Sequence, residues 1–483
     1  MKFNLKHFSY LLLVAGVILT GCSKSSTEPE SPEISNDNTI SNFAFKKDLN
    51  PSLSSSKYMA KSGNGVIYIT VPDGVNLSSL VPNFVVHPNA VVKLDGKVIK
   101  SDSSAIDFSK TQTITVTAES GATKQYHILV RNGNPTIDNK VYAFMIDHEL
   151  PGVSVAISKD EQTIYAAGYG FSNKEDKVRT TENTLFRLAS MSKQHAAIAI
   201  MKLYEKGLLD LDDTVFGKDG LLAGMFGDSM NNSWKTMTVR DILSHSSGIS
   251  TDCIFSSAYS GTTKERVASL LTKEKPGYSI GRFSYNNSNF GIAGLIVEHI
   301  TGKGFMQFLK EEIYNPIGVY DIYGGKNKQM DRMENECVYY GQIDDGVQKN
   351  PYGNDVEAGV AAGGVIASVT ALMKLMAHLD YGTKVPDIFP KEILDLMYTA
   401  KAGMYDSNEK LWDRYALGWR VNYPTTGFEN WATYHGGTLA GVCTIWARGK
   451  NNVNGVVLCN SRSYDKSIDD RMWEMLRDIQ KMF

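Results

Sequence analysis

The helical segment that begins near Met191 constrains this chain of 483 residues more than any other stretch. Residues 191–208 combine strong helix formers with apolar residues at helical spacing, and Gly207 is typical of a helix end. Ser190 is therefore predicted at a helix N-terminus, with Lys193 three positions further on. Residues three apart share one helix face, about 5–6 Å between Cβ atoms, so the lysine amine can reach the serine oxygen.

A serine hydroxyl beside a lysine amine is typical of an activated nucleophile. The hydroxyl reacts poorly unless a base lies within hydrogen-bond reach, and the resulting oxyanion needs donors. A helix N-terminus favours the developing negative charge. We therefore predict Ser190 as nucleophile and Lys193 as general base. The alternative is a helix-capping serine beside a solvated lysine.

Other serines in the chain fit short catalytic patterns less well. Ser54, Ser407 and Ser463 also precede a lysine by three positions, but none opens a long amphipathic helix. The segment around Ser279 matches the G-x-S-x-G nucleophile elbow, which needs a strand before it and a helix directly after it. Neither element is predicted there, so Ser190 remains the candidate.

Tyr285 and Asn287 form a second motif, on a loop between a Pro-Gly turn and an apolar helical run. Tyr285 is predicted to relay a proton, and Asn287 to bind a substrate amide oxygen. The same Y-x-N spacing recurs at Tyr352 and Asn354 without that setting. The alternative for the first motif is a buried tyrosine beside an Asx turn.

A third motif, His435-Gly-Gly437, precedes a strand-like stretch at residues 438–446. Glycines within strands often mark the close approach of another backbone or a ligand. A substrate on this edge would place its carbonyl oxygen between the N–H groups of Ser190 and Thr438. Such donors are each worth about 2.7–4 kcal/mol in the transition state. The alternative is a satisfied core histidine in a glycine-bent strand.

In this order the motifs resemble those of the serine β-lactamase and penicillin-binding-protein superfamily, most closely its class C β-lactamase-related branch of DD-peptidases, D-aminopeptidases and esterases. The resemblance covers residues 138–483. Further matching segments are Pro151–Ile157, Gly168–Gly170, Thr184–Ser190, Gly207–Asp213, Thr238–Gly248 and Gly363–Ser368. It implies an α/β (α+β) fold, an antiparallel sheet flanked by helices plus a mostly helical subdomain, and a reaction without cofactor.

The resemblance also implies roles for the motif residues. Ser190 would be the nucleophile, Lys193 the base and Tyr285 the proton relay, and the substrate and oxyanion contacts would be Asn287, His435, Gly437 and Thr438. His435 stands where class C β-lactamases have lysine. Because histidine is only partly charged at neutral pH, it would hold a substrate carboxylate less firmly.

The implied activity is cleavage of an amide or ester bond in a peptide or small molecule. A D-amino-acid peptidase or a carboxylesterase is favoured, and a β-lactamase is the alternative. An alternative from a different functional class is a surface binding protein that has the same fold but has lost catalytic turnover. This alternative is kept because Gln194-His195-Ala196 and Ala440-Gly441 depart from the residues usual in the relatives.

The N-terminus is typical of export. Lys2 and Lys6 precede an apolar run, residues 11–20, that is too short to span a bilayer. The run ends Leu-Thr-Gly-Cys22, which resembles a lipobox. We expect a lipoprotein signal peptide at 1–21, a lipid anchor on Cys22, and a place in the cell envelope, on either face of an outer membrane. The alternative is an ordinary secretory signal.

Residues 22–38 are polar and predict a flexible tether. Residues 39–133 contain short alternating stretches separated by turn residues, which predict a small all-β sandwich. It resembles the Ig-like modules of bacterial surface lipoproteins. A spacer is the favoured interpretation, and glycan or peptidoglycan binding the alternative.

Charge and cysteine content exclude other functions. With 50 basic and 52 acidic residues, the chain has no charge block that indicates a nucleic-acid partner. It has no C-x-x-C or H-E-x-x-H motif, so no metal site is expected. Cys443 and Cys459 are predicted on two arms of one hairpin, as a disulfide or as two buried thiols. Oligomeric state is not predicted.

Overall fold

The computed structural model describes residues 34–227, 230–405, 411–421, 431–464 and 467–483. The predicted signal peptide and Cys22 lie outside the described residues, as do most of the tether and Ser407. Within the described ranges, no helix is long and apolar enough to cross a membrane.

The N-terminal module consists of short strands separated by turns. They are β1 (Ser41–Lys46), β2 (Lys57–Met59), β3 (Lys61–Gly63), β4 (Val66–Val71), β5 (Pro82–Val85), β6 (Val91–Leu94), β7 (Lys97–Val98), β8 (Gln112–Thr117) and β9 (Thr123–Asn132). One sheet has the order β2-β1-β5 and the other β3-β4-β9-β8-β6-β7. Apolar side chains, among them Phe45, Ile69 and Phe108, form one core in this module. The predicted all-β module is confirmed.

The remaining chain is built on one large antiparallel sheet with the order β12-β11-β10-β23-β22-β21-β20-β19-β18. Its strands are β10 (Gly152–Lys159), β11 (Gln162–Asn173), β12 (Val178–Arg179), β18 (Ala402–Tyr405), β19 (Leu411–Tyr415), β20 (Arg420–Val421), β21 (Trp431–Leu439), β22 (Val442–Gly449) and β23 (Val453–Cys459). Smaller pairings involve β13 (Phe186–Arg187), β14 (Ile322–Gly324), β15 (Ile343–Asp344), β16 (Val347–Gln348) and β17 (Val365–Ala367).

Helices cover both faces of this sheet. They are α1 (Pro135–Asp147), α2 (Ser192–Glu205), α3 (Val239–Leu243), α4 (Thr263–Lys273), α5 (Asn287–Thr301), α6 (Phe305–Leu309), α7 (Val369–Met376), α8 (Lys391–Tyr398) and α9 (Ile468–Gln480). Apolar residues of α1 and α9 share a core with one sheet face. Those of α2, α5 and α7 share a larger core with the other face. The antiparallel sheet flanked by helices, with a mostly helical region between β13 and β17, confirms the expected fold.

The N-terminal module is docked against α1 and β11. Asp138 of α1 is fully buried and accepts hydrogen bonds from Arg131 of β9 (2.6 Å) and Thr70 of β4 (2.8 Å). The rings of Tyr68 and Tyr142 stack across the same interface, with centroids 4.9 Å apart. A buried carboxylate held by donors from the module joins the module to the following domain.

The strand predicted at residues 438–446 is corrected by the structure. The chain turns at Ala440-Gly441, where Gly441 has φ of +74°, so Thr438 belongs to β21, which ends at Leu439, and Cys443 belongs to β22. The hairpin predicted for the cysteines is present as β22 and β23. Cys443 lies directly opposite Cys459 in that hairpin, and both are buried free thiols.

Candidate active site

Ser190 lies in a turn that leads directly into a buried helix. A 3-10 turn spans Ala189–Met191, and α2 follows from Ser192, so the helix begins one residue later than predicted. Ala189 has φ of +49°, a conformation that costs free energy in a residue with a Cβ and that is common at functional sites. The strained turn sets the half-buried Ser190 at the start of α2.

The Lys193 amine is fully buried and has three oxygen neighbours. Its Nζ lies 3.2 Å from Ser190 Oγ, 2.7 Å from Asn287 Oδ1 and 2.7 Å from the carbonyl oxygen of Ala362. The amide and carbonyl oxygens only accept hydrogen bonds, so they take two N–H groups. The third direction points at Ser190. In a neutral amine that direction is the lone pair, which is the arrangement that a general base needs.

The Tyr285 ring packs beside the Lys193 amine. Lys193 Nζ lies 4.9 Å from the centre of its ring, and the ring is 37% exposed. Among the described residues, the Tyr285 hydroxyl makes no hydrogen bond to Ser190 or Lys193. The ring is adjacent to the pair, and its proton-relay role stays a prediction.

The His245 ring packs against the Tyr285 ring. The two ring centroids are 4.2 Å apart, and His245 is fully buried with φ of +58°. Its Nδ1 accepts a hydrogen bond from the backbone N–H of Asn286 (3.2 Å), which leaves the proton on Nε2. Burial, with the nearby Lys193, holds the pKa of His245 well below its ordinary value. The imidazole is therefore neutral. The matching segment Thr238–Gly248 contains this residue, but no role was predicted for it.

Asn287 is held at both ends of its amide. Its Oδ1 faces Lys193, and its Nδ2 donates to Asp252 Oδ2 at 2.8 Å. Asp252 was not among the residues predicted for the site, because no motif connects it with a residue 35 positions away. The observed partners of the Asn287 amide are Lys193 and Asp252, and its contact with a substrate amide stays a prediction.

His435 lies close to these residues but is 2% exposed. Its Nδ1 lies 2.6 Å from the Gly436 carbonyl oxygen, which only accepts, so Nδ1 carries the proton. Its Nε2 then accepts from the Tyr415 hydroxyl at 2.9 Å. Burial first, then the positive charges of Arg420 and Lys193, hold the pKa of His435 well below its ordinary value. His435 is therefore a neutral ring with both nitrogens engaged.

Gly437 brings β21 against the nucleophile turn. A Cβ on Gly437 would collide with the Leu188 carbonyl oxygen and with Thr444 Oγ1, and Thr444 donates to that same carbonyl at 2.9 Å. Thr438 follows as an exposed residue of β21, one position before the strand ends. The close approach is what the glycine motif predicted. The oxyanion role of the Ser190 and Thr438 N–H groups stays a prediction.

The other candidate serines lie in different surroundings. The segment Gly277–Gly281 is a loop between α4 and α5, without the strand and helix of a nucleophile elbow. Ser463 lies in an irregular segment between β23 and α9. Within the described ranges, no group of three or more His, Cys, Asp or Glu side chains could hold a metal ion.

Comparison with known proteins gives the family. Residues 137–477 match the family model described as Beta-lactamase. The chain belongs to the β-lactamase family. Residues 52–130 match the model described as SGBP, N-terminal, which is a different domain from the Ig-like module expected from the sequence.

Individual relatives show how far the likeness extends. A protein of Escherichia coli O157:H7 named "Putative D-alanyl-D-alanine carboxypeptidase" is 27% identical over 318 residues, which cover 57% of this chain and 69% of that protein. Protein Flp of Staphylococcus aureus strain MW2 is 28% identical over 186 residues, 36% of each chain. The match therefore spans about a third of the staphylococcal relative.

Solved structures support the same fold. A D-stereospecific amidohydrolase from a Streptomyces species has a TM-score of 0.56 and 19% identity, and covers 70% of this chain and 97% of its own. A class C β-lactamase has a TM-score of 0.57 and 22% identity, with 72% and 95% covered. At these identities the likeness is one of fold.

Proposed function

We propose that the protein is a serine hydrolase that cleaves an amide or ester bond through an acyl-enzyme on Ser190. The observation that carries the proposal is the three-way contact of Lys193 Nζ with Ser190 Oγ, Asn287 Oδ1 and the Ala362 carbonyl oxygen. Two acceptors fix two N–H groups of the amine, so its remaining position meets the serine hydroxyl. Membership of the β-lactamase family supports the same chemistry.

In the proposed reaction, Ser190 Oγ attacks the substrate carbonyl carbon while its proton passes to Lys193 Nζ. The tetrahedral oxyanion accepts hydrogen bonds from the Ser190 and Thr438 N–H groups. Collapse of the intermediate breaks the bond to the leaving amine or alcohol, which takes the proton from Lys193. Water then attacks the acyl carbon while one of its protons passes to Lys193 Nζ. The bond between the acyl carbon and Ser190 Oγ breaks, Oγ takes that proton back from Lys193, and the acid is released.

For the substrate, we infer a D-amino-acid peptidase as the first candidate. The names of a carboxypeptidase relative and of an amidohydrolase with the same fold support it. A carboxylesterase is the second candidate, favoured by one observation. His435 is neutral and uses both ring nitrogens within the protein, so it offers no positive charge to a terminal substrate carboxylate. β-Lactamase activity ranks third for the same reason.

The test is intact-mass analysis of the purified full-length chain after exposure to a fluorophosphonate and, separately, to a penicillin. Ser190→Ala removes the proposed nucleophile. Ser463→Ala is the matched control, because Ser463 also precedes a lysine by three positions. An adduct lost only in Ser190→Ala supports the proposal, and penicillin labelling in addition favours a peptidase. No adduct with either reagent contradicts the acyl-enzyme and favours a binding protein that has lost turnover.

We further propose that the chain is a lipoprotein anchored through Cys22 in the outer membrane, with the module as a spacer. The lipobox-like Leu-Thr-Gly-Cys22 supports the anchor. The buried contacts of Asp138 with Arg131 and Thr70 support a fixed spacer. Metabolic labelling with a clickable fatty acid should mark the wild-type chain in the membrane fraction. Labelling unchanged in Cys22→Ala would contradict the anchor.

A further inference from the structure

We propose that Asp252 is a positioning residue for the general base, because it fixes which atom of Asn287 faces Lys193. The inference rests on the proposed acyl-enzyme function and adds a residue that no motif indicated. Asp252 makes its hydrogen bond to the site through the Asn287 amide, and not to the serine or the lysine.

The Asp252 carboxylate is held at both oxygens. Oδ1 accepts from the backbone N–H groups of Ile254 (2.9 Å) and Phe255 (3.1 Å). Oδ2 accepts from Asn287 Nδ2 at 2.8 Å. A backbone turn therefore orients the carboxylate, and its remaining oxygen is directed at the Asn287 amide.

The loop that carries Asp252 is tied to the start of α5, where Asn287 lies. The Cys253 N–H donates to Ser288 Oγ at 2.9 Å, and the Ser288 hydroxyl lies 3.0 Å from the Thr251 carbonyl oxygen. Ser288 is fully buried. The distance between the carboxylate and Asn287 is thus set by backbone contacts on both sides of Asp252.

An ionised carboxylate only accepts hydrogen bonds, whereas a primary amide has one accepting and one donating end. The NH₂ end of Asn287 must therefore face Asp252, and its oxygen must face Lys193. If the amide turned over, its N–H groups would meet those of the lysine and its oxygen would meet the carboxylate. The charge of Asp252 selects one of two amide orientations of similar shape.

This choice matters for catalysis because Lys193 has few other constraints. Its Nζ contacts Asn287 Oδ1, the Ala362 carbonyl oxygen and Ser190 Oγ. Without an acceptor at Asn287, one N–H group would be free to turn toward Ser190, and the lone pair would point elsewhere. A small misplacement of reacting groups can slow a reaction by about 100-fold.

Asp252→Asn is the sharpest variant, because an asparagine Oδ1 still accepts from Ile254 and Phe255. What changes is the group that faces Asn287, which becomes an NH₂. We expect the second-order rate constant of fluorophosphonate labelling to fall by about 10- to 100-fold. For an ester substrate, kcat should fall with little change in KM, since no substrate contact is removed.

Asp380→Asn is the matched control. Asp380 is also a buried carboxylate that accepts from an asparagine amide, Asn454 Nδ2 at 3.1 Å, and it contacts none of the site residues. The Asp380→Asn protein should react with the fluorophosphonate at the wild-type rate. Thermal unfolding of both variants checks that each one is folded.

A double-mutant cycle with Asn287→Ala separates positioning from a general structural role. If Asp252 acts through Asn287, Asp252→Asn should change the labelling rate less than about threefold in the Asn287→Ala background. Equal slowing in both backgrounds would overturn the proposal, as would wild-type labelling by Asp252→Asn alone. Absence of any Ser190 adduct on the wild-type protein would instead show that the acyl-enzyme itself is wrong.

Discussion

Gly437 of β21 lies directly against the carbonyl oxygen of Leu188, two residues before the nucleophile. No side chain fits between them, because a Cβ there would also overlap Thr444 Oγ1. Thr444 closes the contact by donating to the same carbonyl. This relationship sets how closely the strand that carries Thr438 approaches Ser190, and so whether both N–H groups can share one oxyanion.

Gly437→Ala should therefore push β21 away from the Ser190 turn. We expect loss of most fluorophosphonate labelling and a destabilisation of about 1–3 kcal/mol from overpacking. Gly436→Ala is the control, since the nearest atom to a Cβ there is 3.6 Å away. Labelling rates and urea unfolding of the two variants measure the difference. Equal labelling by both would contradict the account of the strand contact.

Lys193→Ala should remove the general base and slow labelling of Ser190 by about 10²- to 10⁴-fold. The comparison variant is Lys202→Ala on the same helix, where the amine pairs with Glu205 instead of the serine. That variant should label normally. Stopped-flow or gel-based labelling across reagent concentrations gives both rate constants. A Lys193→Ala protein that labels at the wild-type rate would exclude the lysine as base.

Buried histidines predict acid sensitivity. Burial lowers the pKa of His195 from 6.5 to about 3. As pH falls below 6.5 the unfolded chain binds a proton there that the folded chain does not, so stability is full above pH 6.5 and is lost toward pH 3. His195→Phe can keep the stack on Trp446 but has no group that titrates there. Between pH 7.5 and 5.5 its free energy of unfolding should therefore fall by about 1.4 kcal/mol less than that of the wild type. Identical losses in urea unfolding would contradict a neutral His195.

Substitutions in the contact between the N-terminal module and the catalytic domain should reduce stability at that contact. Asp138→Asn leaves Arg131 without its carboxylate in a mostly buried interface, which should cost about 3 kcal/mol. Lys140 lies on α1 like Asp138, and Lys140→Ala breaks its more exposed pair with Asp478 of α9, which should cost less than about 1 kcal/mol. Thermal unfolding and amide exchange of β9 and α1 report both. Equal effects would mean that the buried pair does not hold the module.

Helices and strands that have a recognisable pattern in consecutive residues could be predicted from the sequence. The helix after Ser190 and the helix after the Y-x-N motif are apolar runs of helix formers, and the structure has them as α2 and α5. The strand-like stretches of the module, separated by turn residues, are present as β4, β6, β8 and β9. The strand after His435 was misjudged at Ala440-Gly441, where a hairpin turn interrupts an otherwise strand-like run. Apolar composition alone does not reveal such a turn.

The site could be predicted only where its residues lie in recognisable motifs. Asp252 and the Ala362 carbonyl oxygen reach Lys193 or its partner from distant parts of the chain. A carbonyl has no sequence signature, and one aspartate among many has none either. The state of His435 was equally hidden, because its pKa depends on burial and on charges that the fold brings near it. Tertiary packing decides these properties.

The most direct test of the central claim is to map where an activated phosphonate binds. The full-length chain is labelled, digested and analysed by tandem mass spectrometry at neutral pH. The account predicts one adduct, on the peptide that contains Ser190, and its loss in Lys193→Ala. An adduct on Ser279, the serine of the G-x-S-x-G segment, or labelling of Ser190 that persists unchanged without Lys193, would contradict it.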